Sequence, residues 1–110
     1  MSSHVRTKPI PMITVPEKRL TVLIAQDDDQ YSAYCPELDL VTEMETPESA
    51  QEDMLDAMRD YAEEYLDDLK RYSQSPNRAH HLPYVQFIAA CKTEWELRML
   101  VEVRYGVVHV

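Results

Sequence analysis

Glycine is almost absent: Gly106 is the only one in 110 residues. A Gly-rich phosphate loop is thereby excluded, because such a loop needs several positions where backbone can approach the ligand closely. Cysteine is nearly as scarce. Cys35 and Cys91 are too few for a disulfide framework and read as small core residues. Basic residues are outnumbered 11 to 20 by acidic ones, for a net charge of −9 and a pI near 4.8. That balance argues against direct binding to nucleic acid, which rests on cationic contacts to phosphates. No apolar run is long enough to span a membrane, and no signal peptide is recognisable. The expectation is a cytoplasmic chain with reduced thiols and no membrane association.

What is present is organised around residues 46–72. Thr46-Pro47-Glu48 is a helix start: a hydroxyl to accept an exposed N–H, proline in the first turn, and an early acid at the positive helix end. Apolar residues then recur at Ala50, Met54, Ala57, Met58, Tyr61, Ala62, Tyr65, Leu66, Leu69 and Tyr72. This is helical spacing over about half the circumference, and it predicts one uninterrupted helix over 47–72 with Met58 and Tyr61 central in the core. The same stretch holds nine acids against three bases. Glu52, Asp56, Asp60, Glu64 and Asp68 follow one another at a spacing of four. Like charges so placed repel along the helix. They are the candidate partner-binding residues, with a solubilising outer face as the plainer alternative.

The rest of the chain falls in order around that helix. Residues 1–17, with Pro9, Pro11 and Pro16, read as an extended N-terminal arm in which Met12–Val15 could add an edge strand. Residues 18–110 read as one α+β domain. Arg19–Gln26 is a β-rich run apolar on both faces, hence a central strand. Asp27-Asp28-Asp29-Gln30 is a hairpin turn, and its carboxylates lack the alternate spacing and glycine of a calcium loop. Tyr31–Cys35 is the return strand, stopped by Pro36, and Leu40–Glu45 is a third strand. His80-His81 reads as a loop pair with no metal, because no Cys or His at ligand spacing accompanies it. Tyr84–Cys91 reads as a further strand. Thr93-Glu94-Trp95-Glu96 fits a capping box that opens a short C-terminal helix ended by Gly106, while Val101, Val103, Val107, Val108 and Val110 leave a strand open there. The expected architecture is β-β-β-α-β-α: a three-stranded antiparallel sheet covered by one long helix, extended by a strand and a short helix.

In Arg19–Leu69 the strand, the acidic turn, Tyr31-Ser32-Ala33-Tyr34-Cys35-Pro36-Glu37-Leu38, the short strand and Thr46-Pro47-Glu48-Ser49-Ala50 follow in an order that resembles the HicB-type antitoxins. The resemblance covers about half of the chain. It implies a degenerate RNase H-like domain that neutralises a small basic mRNA-cleaving toxin, HicA-like, by covering it. Beyond Thr93 there is no basic cluster for operator binding, so direct nucleic-acid contact is not expected.

An enzyme with two metals between carboxylates would need acids at the core end of strands, and Arg19–Gln26 has none. No Ser/His/Asp or Cys/His set is recognisable. The expectation is therefore a non-enzymatic binding module without catalytic residues, cofactor or metal. It is also expected to be a homo-oligomer, because a small sheet leaves open edges. The alternative is a solitary HicB-like, oligomer-forming domain with no toxin.

Overall fold

The computed structural model describes residues 8–109. The expected strands form, as β1 (Leu20–Asp27), β2 (Gln30–Cys35) and β3 (Leu40–Met44), paired antiparallel in sequence order. The β1–β2 turn is two residues long, and Asp28 takes the left-handed conformation (φ 58°) that Asp tolerates better than most residues. Pro36 ends β2 as expected, and the following residues continue its work. The Glu37 carboxylate accepts from the Thr21 N–H at 2.9 Å and from its hydroxyl at 2.8 Å. Leu38 drops into the core, and Asp39 turns the chain into β3 with φ 55°.

Helix α1 runs from Pro47 to Asp67. Thr46 caps it, accepting from the Ser49 N–H, while the Ser49 hydroxyl accepts from the Thr46 N–H. Its buried stripe is Ala50, Met54, Leu55, Met58, Tyr61, Ala62 and Tyr65, laid across the inner face of β1–β3. Leu20, Val22 and Ile24 of β1 and Ala33 and Cys35 of β2 meet it.

Several expectations are corrected. The helix is not continuous to Tyr72: Asp68 leaves helical geometry (φ −132°, ψ 51°), and α2 (Leu69–Ser73) sets off in a new direction. The reason is aromatic packing. Residues seven apart in an unbroken helix stand about 10 Å apart along its axis, whereas the break lets Tyr72 stack on Tyr65 with centroids 5.1 Å apart. Leu66 and Leu69, assigned to the apolar stripe, are consequently exposed.

Tyr84–Cys91 is no strand but helix α3 (Leu82–Ala90). Pro83 in its first turn has the right φ, and Val85 and Ile88, one turn apart, bury against α1. A short continuous apolar run has no period to separate the two readings. The fourth strand lies further on. Thr93 caps α4 (Glu94–Leu100), and the chain then passes directly into β4 (Val101–Val107), parallel to β1 and with Gly106 inside it. The order along the sheet is β3-β2-β1-β4, so β1 is central, and the chain reads β-β-β-α-α-α-α-β.

Finally, β1 is not buried on both faces. Leu23 lies on the outer face in a cross-strand row with Arg104, Tyr34 and Val41, and all three apolar members are exposed. In the arm, Met12–Val15 forms no edge strand; Ile13 and Val15 lie near Trp95 and Met99. His4 and the beginning of the arm lie outside the described residues.

Candidate functional site

The sequence placed five acids in one column, and the structure divides them. At the N-terminal end, Glu52 pairs with Arg98 at 3.5 Å. Asp56 pairs with Arg59, which also reaches Glu94 at 3.3 Å. Helix α4 thus brings one cation, Arg98, to this half of the column, while Arg59 is α1's own. The Asp60 carboxylate is exposed and, among the described residues, makes no ion pair. Glu64 accepts from the Tyr72 hydroxyl at 2.7 Å. Asp68 is off the helix altogether, at the break, 3.5 Å from Arg71.

What forms instead is a shallow acidic groove at the C-terminal end of α1. It is lined by Asp60, Glu63, Glu64, Asp67, Asp68, Arg71 and Tyr72. Glu63 and Asp67 were absent from the column, yet Asp60, Glu63, Glu64 and Asp67 stand at i, i+3, i+4 and i+7, the spacing of one helical face. The pattern is legible in the sequence, where both lie on the acidic half of the helix outside the spacing-of-four column. The last turn of α1 carries no basic residue. Acids there face the negative end of the helix dipole, at a cost of about 0.3–1 kcal/mol each when exposed at low salt. The groove is therefore a place of concentrated, poorly compensated negative charge, held on a rigid helix.

A second cluster lies behind it. Tyr61, Tyr65, Tyr72 and His81 pack edge-on or stacked, with centroids 5.1–6.4 Å apart. The Arg78 guanidinium lies over the rings of Tyr72 and Tyr61, at 5.2 and 5.7 Å. His81 ends a 3-10 turn (Ala79–His81) and is buried, with Nδ1 2.7 Å from the Tyr61 hydroxyl. Burial, and after it the proximity of His80, lowers its pKa below the usual 6.5 against the opposing pull of Asp39. Burial likewise raises the hydroxyls of Tyr61 and Tyr65, whereas for Tyr72 the hydrogen bond to Glu64 does most. His80 and His81 have no further Cys or His at ligand spacing in sequence, but in space they meet a carboxylate. Asp39, from the β2–β3 turn, brings a ligand atom within 4.8 Å of one on each histidine. Local spacing has no access to such a meeting.

The cysteines behave as core residues. Cys35 is fully buried, which pushes its thiol up to about 12, and the half-buried Cys91 donates to the Phe87 carbonyl. A thiol so raised is no nucleophile at neutral pH. No described helix is long and apolar enough to cross a membrane.

Comparison with known proteins adds to this geometry. A family model described as PHD-like, antitoxin of toxin-antitoxin, RelE/RelB, TA system, matches residues 2–103. A crystal structure described as an antitoxin part of a putative toxin/antitoxin system from Syntrophomonas wolfei subsp. wolfei is similar, with a TM-score of 0.71 and 19% identity. The likeness covers 80% of this chain and 64% of that one, and at this identity it shows the fold alone. No curated protein matches. The matched family is thus an antitoxin family, as the HicB resemblance implied, but a PHD-like one.

Proposed function

The chain belongs to the PHD-like antitoxin family of RelE/RelB-type systems, a non-catalytic family, and on that premise we propose that it binds and covers a cationic toxin through the acidic groove of α1. The observation that carries this reading is the groove itself. Five carboxylates line one groove towards the C-terminal end of α1, with Arg71 as the cation among them. A face selected only for solubility would be expected to mix signs there, as the Glu52–Arg98 and Asp56–Arg59 pairs do at the other end. Carboxylates held in register stand in for the phosphates of a nuclease's substrate, and they steer a basic partner toward the surface. The family description supports a toxin of the RelE type. The narrower pairing with a HicA-like toxin rests on the β-β-β-α order of the first half.

The test uses the toxin that co-purifies with the chain from native extract, identified by mass spectrometry. Asp60→Asn, Glu63→Gln and Asp67→Asn together should slow association about tenfold or more at low salt and flatten its salt dependence. Glu52→Gln with Asp56→Asn should do less, because those acids are already paired. Equal effects of the two sets, or none, would move the toxin to another surface.

A second reading concerns self-association, favoured by the exposed row of Leu23, Tyr34 and Val41 on the outer face of the sheet. We infer that a second copy covers this face. Neither surface has the cationic stripe that nucleic acid requires.

A further inference from the structure

The β2–β3 turn and the 3-10 turn before α3 are far apart in sequence, yet Asp39, His80 and His81 each present a ligand atom within 4.8 Å of the other two. One of those atoms has an unsatisfied need. His81 Nε2 is sealed from solvent and has no hydrogen-bond partner. Asp39 Oδ2 is its nearest charged neighbour, at 3.5 Å, beyond the range of a good hydrogen bond. That separation has another meaning. Two ligand atoms at about 2.0–2.1 Å from one tetrahedral ion stand roughly 3.3–3.4 Å apart. Asp39 Oδ2 and His81 Nε2 are already spaced as neighbours in such a shell.

We propose that Asp39, His80 and His81 bind a first-row divalent cation, zinc foremost, which clips the β2–β3 turn to the segment entering α3. Contacts behind the ligands orient two of them, as bound metals require. In the metal-binding tautomer the Tyr61 oxygen, 2.7 Å away, accepts a hydrogen bond from His81 Nδ1–H, which leaves the Nε2 lone pair for the ion. The Tyr34 hydroxyl donates to Asp39 Oδ1 at 3.4 Å and leaves Oδ2 for the ion. His80 is exposed, so its ring turns onto the site without repacking the core, and water completes the shell. Two imidazoles and one carboxylate select zinc, cobalt or nickel over calcium or magnesium, which take mostly oxygen. The three acids of the β1–β2 turn, by contrast, have no buried, unpartnered atom among them. Because the ligands come from separate parts of the chain, the ion binds the folded state and stabilises it. The clip is independent of toxin binding.

The test uses the untagged full chain, stripped with EDTA and returned to metal-free buffer. Titration with Co²⁺, read by visible absorption, should give one ion per chain with the intense bands of a tetrahedral site, displaced by Zn²⁺. Zn²⁺ should also raise the thermal midpoint, and EDTA should reverse the rise. His80→Ala and Asp39→Asn, both at exposed positions, should each weaken Co²⁺ binding by about tenfold or more, and Tyr61→Phe by a similar factor. Circular dichroism checks that each variant is folded. Absence of stoichiometric binding would overturn the proposal. So would binding that His80→Ala and Asp39→Asn leave intact, or binding that Asp60→Asn with Glu63→Gln abolishes, since the ion would then sit elsewhere.

Discussion

The Tyr61 hydroxyl lies 2.7 Å from His81 Nδ1, joining the middle of α1 to the 3-10 turn that precedes α3. Both side chains are buried, so the contact fixes how the chain returns after α2. Burial of the ring is also what chiefly keeps His81 neutral. A proton on a buried imidazole beside the Arg78 guanidinium and His80 is disfavoured, and the Asp39 carboxylate offsets this only in part.

A pH dependence follows. The folded pKa of His81 lies below its unfolded value of about 6.5. The unfolded chain therefore binds the proton first, and the stability contributed by neutral His81 is present above pH 6.5 and lost as pH falls through the folded pKa. Urea denaturation at pH 7.5 and 5.5 should show a loss that is smaller in His81→Asn. Equal losses would assign the pH dependence to other groups.

Met58 is fully buried between α1 and the sheet. Met58→Ala should cost about 2–5 kcal/mol, the transfer and cavity penalty of a filled core position. Denaturant midpoints with an unchanged slope would establish it.

Glu37 is the hidden tie of the Pro36-Glu37-Leu38 segment. Its carboxylate serves both the N–H and the hydroxyl of Thr21. Glu37→Ala should cost about 1–3 kcal/mol, because it leaves the part-buried Thr21 N–H without its partner. Hydrogen exchange should locate the loss at the start of β1, and a uniform change across the sheet would contradict this account.

The outer row Leu23, Tyr34 and Val41 should mediate self-association. Sedimentation equilibrium at micromolar concentration should show a species larger than the monomer, and Val41→Glu should shift it toward monomer. A monomeric parent chain would eliminate this interface.

The sequence by itself determined the elements whose signals are local. Leu20, Val22 and Ile24 alternate at period two, Asp28-Asp29 makes a tight turn, Thr46-Pro47 caps a helix, and Ala50 to Tyr65 repeats at helical spacing. Each is a statement about neighbours in the chain, and each formed. Charge likewise marked α1 as the surface of interest. Tertiary structure decided the rest. Leu82–Ala90 is apolar throughout, so its period could not choose between strand and helix, and burial against α1 made the choice. Val101–Val107 became a strand because β1 offered an open edge, and Gly106 became part of it. The helix broke at Asp68 so that Tyr72 could stack on Tyr65. Arg98 from α4 and Arg59 from α1 itself paired with the acids at one end of the column, and Asp60 beyond them makes no ion pair among the described residues. Asp39 met His80 and His81 only through folding, because ligand geometry depends on distance in space and the chain records only distance in sequence.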